Sequence, residues 1–485
     1  MCAHQQKSPI DIAIARGDGV GPEIMDACLY ILQQAGVRLQ FHEIQVGQAL
    51  YLAGNPSGID AASWETLQSV QAFLKAPITT PQGGGLRSLN VTIRSRFGLF
   101  ANVRPCVAYA PAVKTRHPGM DLVIIRENEE DLYAGIEYRP TFDCCEALKV
   151  ISEAGCEKII RYAFDYAKTN DRKKVTCFSK DNILKMTDGL FHKTFDRIAK
   201  EYPELANEHW IIDIGSAKMA DTPEQFDVIV TLNLYGDILS DIAAQIAGSV
   251  GLAGSANIGP SFAMFEAIHG SAPRRANQNL ANPSGLLTAA VMMLVHLGLF
   301  EDAERIHNAW LKTLEEGIHT YDIWSDGQSK QKVGTREFAE AVAARLGLKP
   351  EILTPVHYHK PAHHRPQAQQ AQTNSASQSK TICGIDVFIE KDLAIQPLVD
   401  KIEKIHPHVR LEAITYRGNT VWPASSTSNW AGSPLRLRFQ ATSSFSQDAA
   451  IILLQKLSSA GCRITSSHML YSYDGVQGFS STGES

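Results

Sequence analysis

Four arginines, Arg87, Arg94, Arg96 and Arg104, fall in a stretch from Lys75 to Arg104 that holds no Asp or Glu. A glycine triplet, Thr79, Thr80, Ser88 and Asn90 lie among them. Arginine's planar fork grips a carboxylate through two charge-assisted hydrogen bonds, so such a run suits a ligand with several carboxylates. On composition alone a solvated basic face explains it equally well. A second constellation, Asn233–Asp241, sets Asp237 and Asp241 four residues apart, on one face of a helix. A hard divalent cation such as Mg2+ or Mn2+ relieves the repulsion of two close carboxylates through oxygen ligands; an exposed acidic helix start is the alternative. Asp213, after the apolar Trp210–Ile212 run, offers a third carboxylate where open α/β sheets keep ligand groups. Arg126 leaves the end of another apolar run, with Tyr133 seven residues on, and Lys180 follows a third. Tyrosine and lysine titrate near pH 10, so each needs tuning to carry protons near neutrality. Positive potential from the arginines and a cation is expected to lower both.

Those side chains need strands and helices to bring them together. Ile10–Ala15 is a short apolar run ending in Arg16-Gly17-Asp18-Gly19-Val20-Gly21-Pro22-Glu23. Ile24, Ala27, Cys28 and Ile31 then follow helical spacing, with Pro22 and Glu23 at the start. Asp121–Ile125, Lys174–Phe178 and Asp227–Leu232 repeat the pattern of a β-rich run followed by a helical one, which indicates an α/β domain. Residues 361–380 contain no Val, Ile, Leu, Phe, Met, Trp or Tyr, so that segment reads as a flexible linker. After it, alternating and helical runs come in the order βαβ–βαβ of the split, ferredoxin-like sandwich, with Ser446 as a helix cap.

The whole chain has 485 residues, 44% apolar and 20% charged, with a net charge of −5. That allows roughly two to four domains of about 100–200 residues and gives no basic field for nucleic acid. Nine scattered cysteines with no C-x-x-C argue for a reducing compartment. No apolar run reaches the roughly 18 residues needed to span a bilayer. A cytoplasmic protein without a membrane partner is expected.

With these residues in place, the chain closely resembles the β-decarboxylating dehydrogenases, and within them the isocitrate dehydrogenases in their longer bacterial form. The resemblance covers about residues 8–350 and rests on GDGVGPE (17–23), TTPQGGGLRSLN (79–90), Arg94, Arg104, RENEEDLYAGIE (126–137), NLYGDILSD (233–241) and HGSAPRRANQNLANPSG (269–285). It implies a two-domain α/β core of the isopropylmalate dehydrogenase kind, not a Rossmann domain. A large domain would be formed by 1–99 and 248–357. A small domain would span 100–247, with a clasping arm at about 131–152. A linker at 358–380 and an α+β domain at 381–485 would follow.

The resemblance also implies roles. Ser88, Asn90, Arg94, Arg104 and Arg126 would hold substrate carboxylates, with Thr79 near the nicotinamide. Tyr133 and Lys180 would transfer protons, and Asp213, Asp237 and Asp241 would bind Mg2+ or Mn2+. Lys180 and Asp213 would come from the second chain of a homodimer. His269, Gly270, Ser271, Ala272, Pro273, Arg274, Arg275, Asn282 and Tyr321 would line the cofactor. Ser88 and Asn90 suit a third carboxylate, which favours isocitrate. Arg274, Arg275 and Tyr321 favour NADP; Ser325, where some NADP-using relatives carry arginine, leaves NAD open. The alternatives are a homoisocitrate or 3-isopropylmalate dehydrogenase, or a non-catalytic regulatory subunit.

Overall fold

A computed structural model of the chain describes residues 8–55, 57–79, 88–359, 379–423 and 432–481. The chain divides into two compact units, Met1–Ala134 with Lys149–Ala371, and Gly135–Leu148 with Gln372–Ser485.

The large unit is organised by a ten-stranded sheet. In chain order its strands are β1 (Ile10–Ala15), β2 (Leu39–Glu43), β3 (Ala72–Lys75), β4 (Ala101–Val107) and β5 (Asp121–Glu127). The hairpin β6 (Glu137–Thr141) and β7 (Cys144–Ala147) intervenes as part of the small unit. The sheet resumes with β8 (Lys174–Ser179), β9 (Ala206–Ile211), β10 (Val228–Thr231), β11 (Gly254–Ile258) and β12 (Ala263–Ala267). The spatial order is β2-β1-β3-β12-β11-β4-β5-β10-β8-β9. The first four are mutually parallel, the last four likewise, and β11 and β4 join them through antiparallel pairings. Successive reversals at β12/β11, β11/β4 and β4/β5 make the two parallel sets run in opposite directions. The carboxyl ends of β5, β10, β8 and β9 therefore lie together. Arg126, the Asn233–Ala247 helix, Lys180 and Asp213 all leave the sheet there.

Continuous apolar runs suit strands covered on both faces. Alternate residues of β5 and β10 enter different cores: Val123, Ile125, Val228 and Val230 join one, and Leu122, Ile124 and Ile229 the other. The Gly21–Gln34 helix begins as the sequence indicates, with Pro22 in its first positions and Ile24, Ala27, Cys28 and Ile31 buried. Fully burying each of the two isoleucines contributes roughly 1.5–3 kcal/mol.

In the small unit a six-stranded antiparallel sheet runs in the order Asn419–Trp422, Val409–Tyr416, Leu435–Ala441, Lys380–Ile389, Ile464–Tyr473, Val476–Gln477. Its four long strands and the helices Ile395–Ile402 and Gln447–Ser459 reproduce the ferredoxin-like order, with two short strands added. Ser446 caps the second helix by accepting from the Ala449 N–H. Of the expected linker, 360–378 lies outside the described residues. At its edges Tyr358 Oη is 2.7 Å from His307 Nδ1, and Lys380 opens a strand. No helix among the described residues is long and apolar enough to cross a membrane.

Candidate active site

Arg104 projects from β4, Arg126 ends β5, and Arg94 lies in the Leu89–Phe97 helix, with Ser88 as its N-cap. All three arginines are buried. Arg126 donates from Nε and Nη2 to Asn233 Oδ1, at 3.0 and 2.8 Å, and from Nη1 to Asp237. Arg104 donates from Nε to Asn102 Oδ1 at 2.9 Å and from Nη1 to Ser240 Oγ at 2.5 Å. Its Nη1 lies 3.4 Å from Asp237 and 3.9 Å from Asp241. Arg94 Nη2 meets Glu266 at 3.0 Å, and its Nε is buried without a hydrogen-bond partner. Asn90 Oδ1 is likewise a buried, unpartnered acceptor. Arg96 departs from the expected cluster: its guanidinium sits 4.2 Å from the Trp64 ring centroid. Arg87 lies outside the described residues.

Burial pushes the Arg126 guanidinium down to about 9, reinforced by the positive charges of Arg104 and Arg94. Burial opposes ionisation of Asp237, yet Arg126 and Arg104 outweigh it and hold that carboxyl below the usual range. Asp241 moves the other way: burial raises it, and the Asp237 charge adds to the effect against Arg104. Tyr133 Oη donates to Asp237 Oδ2 at 2.5 Å, and its ring lies 4.9 Å from the Arg126 guanidinium. The expectation that the arginines lower this phenol fails. Burial and the hydrogen bond to Asp237 raise it, and Arg126 only partly compensates. A phenol whose proton is already given to a carboxylate is harder to ionise.

Lys180 and Asp213 form a separate pair, Nζ to Oδ1 at 2.8 Å, with Asp213 lowered by that hydrogen bond. Among the described residues, the only His, Cys, Asp or Glu trio with ligand atoms within 4.8 Å of one another is Asp181, His192 and His209. Asp213 therefore does not meet Asp237 and Asp241 within one chain. The two helix carboxylates, one turn apart, fit a hard divalent cation by donor chemistry, but among the described residues of one chain no third His, Cys, Asp or Glu joins them.

The glycine-rich turn after β1 is stitched to two loops. Val20 N–H donates to Ser271 O and Asp18 N–H to Pro77 O. A Cβ on Gly19, at φ +63°, would lie 1.9 Å from Ser271 O; only glycine permits that approach. Asp18 accepts from the Thr79 N–H at 2.8 Å, and Thr79 Oγ1 is 2.6 Å from Ser271 Oγ. Ala272 takes a left-handed conformation ahead of Pro273, and Gly270 faces open space. His269 has Nε2 buried and unpartnered, and burial holds it below the ordinary imidazole range. Arg274 and Arg275 are exposed, with Arg275 4.7 Å from the Tyr321 ring centroid. Exposed guanidiniums beside a glycine gap and an orphaned imidazole nitrogen fit a phosphate-bearing cofactor. The Asn282 side chain is already committed, donating to Asp322 and accepting from the Ser284 N–H. It shapes the loop.

Sequence reasoning missed the polar frame beneath these groups. Lys75, fully buried, lies 2.6 Å from Glu266. Glu266 Oε1 accepts from Asn257 at 2.9 Å, Asn257 Oδ1 accepts from Asn102 at 2.6 Å, and Asn102 accepts from Arg104. The chain runs across β3, β12, β11 and β4, and its signal is a charged residue at the end of an apolar strand.

Residues 11–342 match the isocitrate/isopropylmalate dehydrogenase family, and residues 380–484 match the C-terminal domain of bacterial isocitrate dehydrogenase. The chain belongs to the isocitrate/isopropylmalate dehydrogenase family. It is 52% identical to "Isocitrate dehydrogenase [NADP]" of Rickettsia bellii, over 97% of this chain and 98% of that one. It is 39% identical to the protein of the same name from Thermus thermophilus, over 96% of this chain and 94% of that one. The crystal structure of the TT0538 protein from Thermus thermophilus superposes with a TM-score of 0.91 at 38% identity, covering 97% of this chain and 95% of that one. Membership thus extends over both units.

Proposed function

We propose that this chain oxidatively decarboxylates isocitrate to 2-oxoglutarate and CO2 with reduction of NADP, in the cytoplasm, as a pair of chains that share each active site. The observation that carries this reading is the convergence of Arg104, Arg126 and Tyr133 on Asp237, in a chain whose relatives matched over nearly its whole length are named for isocitrate and NADP.

Arg94, Arg104 and Arg126 bind and orient the carboxylates, with Ser88 and Asn90 facing the third. Lys180 Nζ accepts the proton of the C2 hydroxyl. Tyr133 Oη, kept protonated by its environment, donates a proton to the carbon that loses CO2. Asp237, Asp241 and the second chain's copy of Asp213 would hold Mg2+ or Mn2+, which would supply Lewis acidity. Thr79, Tyr321 and the loop of His269, Gly270, Ser271, Ala272, Pro273, Arg274 and Arg275, which Asn282 shapes, would hold NADP, and the cofactor would supply the hydride acceptor.

A second chain is supported by two features. Lys180–Asp213 forms a half-site of its own, apart from Asp237 and Asp241. Large apolar side chains are also exposed beside both halves: Ile183, Leu184 and Met186 after Lys180, Ile214 next to Asp213, and Ile238 and Ile242 on the helix of the aspartates. Patches of that kind mark association surfaces.

Initial rates with isocitrate and Mg2+ test the reading, comparing NADP with NAD and isocitrate with 3-isopropylmalate. Reduction of NADP with isocitrate as the preferred substrate is expected. Inactivity of the purified protein, or preference for 3-isopropylmalate, overturns it.

A further inference from the structure

Lys149 follows the arm strand β7 and belongs to no group described above. Its Nζ lies 2.7 Å from Asp188 Oδ1 and 3.7 Å from Asp131 Oδ1. Both aspartates are 0% exposed. The ammonium also sits 4.5 Å from the Tyr235 ring centroid and 3.4 Å from its Oη.

Each aspartate has a second task. Asp131, at φ +68°, opens the turn carrying Tyr133. Its Oδ2 accepts from the Leu234 N–H at 2.9 Å, at the start of the helix of Asp237 and Asp241. Its Oδ1 has no hydrogen-bond partner. Asp188 Oδ2 accepts from the Lys180 backbone N–H at 2.7 Å. One lysine therefore stands between the carboxylate that fixes the tyrosine turn and the carboxylate that fixes the lysine loop. Removing its charge would leave two fully buried carboxylates uncompensated, and a buried charge without a partner is strongly destabilising. The segments holding those carboxylates would then have to move.

We propose that Lys149 is a positioning residue that ties the placement of Tyr133 to that of Lys180 within each chain. This rests on the shared-site reading above: a chain's Tyr133 serves one site and its Lys180 the other, so the Lys149 ion pairs join the two sites of the pair.

The test uses hybrid enzymes made by co-expressing two differently tagged full-length chains, one Tyr133→Phe and one Lys180→Met. If sites are shared, a hybrid has one doubly damaged site and one intact site, and recovers activity that neither parent has. Absence of recovery refutes the shared-site reading itself, before Lys149 is tested. In the active hybrid the intact site takes Tyr133 from one chain and Lys180 from the other. Lys149→Met is then placed in either chain. Because small displacements of reacting groups lower rates by up to about 10²-fold, kcat is expected to fall about tenfold or more in both placements. The KM for isocitrate should stay within about twofold, since the arginines are not contacted. Loss in one placement only, or none, overturns the coupling. A lowered melting temperature with unchanged kcat reduces Lys149 to a fold contact and overturns it too. If the Met variant does not fold, Lys149→Arg, which keeps the charge but shifts its position, is read by the same two placements.

Discussion

In the small unit Arg438 spends its whole guanidinium on fixed partners. Nε and Nη2 each donate to one oxygen of Asp386 at 2.7 Å, Nη1 donates to Ser480 O, and the Phe479 ring lies 5.0 Å away. Asp386 and Arg438 are directly opposite in neighbouring strands. The arginines of the large unit are equally buried but differently partnered. Each meets a carboxylate through at most one nitrogen: Arg126 gives Nη1 to Asp237 and its other two nitrogens to one neutral amide oxygen, Arg104 gives Nε to another amide, and Arg94 meets Glu266 through Nη2 while its Nε has no partner. Their charges also press on one another, which contributes to the low Arg126 value of about 9. A bidentate carboxylate closes a buried cation. Amide partners orient it and leave its charge to act on something else. On the proposed function, the difference separates an arginine kept for the fold from arginines kept for an anion.

The largest effect that tests this difference is on turnover. Arg126→Gln should lower kcat/KM for isocitrate by about 10²–10³-fold, the usual loss when one preorganised donor to a charged group is removed. The melting temperature should change little, because Asp237 keeps Arg104 beside it. Steady-state kinetics with differential scanning calorimetry measure both. Intact kinetics with a large thermal loss would place Arg126 with Arg438.

The reverse outcome is expected in the small unit. Arg438→Met leaves buried Asp386, among the described residues, with only Arg436 Nη1, at 3.8 Å, for a cation, so the loss should approach the roughly 3–5 kcal/mol of a broken buried pair. Hydrogen exchange should quicken in Lys380–Ile389 and Leu435–Ala441 while kcat per folded molecule holds. The double variant Arg438→Met, Asp386→Leu should recover most of the protection, since removing both partners of a buried pair is often near neutral.

The residues proposed to carry the chemistry were legible because their spacing is local. Asp237 and Asp241 share a helical face, and Arg126, Lys180 and Asp213 stand where apolar runs end. Strands β1, β5, β8 and β10 announced themselves by apolar runs, whereas β2 (LQFHE) and most of β9 (ANEHWI) mix polar and apolar residues and did not. The hydrogen-bonded frame was not legible. Lys75 meets Glu266, and Asn102 meets Asn257, only through the register of strands far apart in sequence. The antiparallel β11 and β4 that reverse the sheet carry polar residues and give no clear period. Hairpin β6–β7 is short and mostly exposed. The direction of Tyr133 was misjudged because the nearest charge to its hydroxyl is Asp237 rather than an arginine.

Glu266 sharpens the comparison from within the large unit, because with Lys75 it gives Arg94 a carboxylate as Arg438 has. Burial opposes its ionisation, but Lys75 and Arg94 prevail and hold it far below its ordinary value of 4.5. A depressed folded-state value adds stability above the unfolded value and loses it as pH falls through the folded one. Glu266→Gln should therefore lower the melting temperature at pH 7, and the gap from wild type should narrow progressively below about pH 4.5. A gap that is constant with pH would mean that the ionised carboxylate is not what stabilises.

The smallest effect concerns a charge held by neither device. Arg275 is exposed, and its cation–π contact with Tyr321 is its closest described interaction with a side chain. Neither a buried carboxylate nor a buried amide fixes it, so its removal should leave stability within about 0.5 kcal/mol, the usual range for surface substitutions. An arginine that contributes so little to the fold, beside an open glycine, is suited to meeting a phosphate only when a ligand arrives. Arg275→Gln should raise the KM for NADP about tenfold, the worth of one charge-assisted hydrogen bond of roughly 1.5 kcal/mol. The KM for NAD, which lacks the 2′-phosphate, should barely move. Equal losses for both cofactors would assign Arg275 to the pyrophosphate they share. Loss of stability instead would mean that the stack on Tyr321 supports the loop, and the surface arginine would then rank with Arg438 after all.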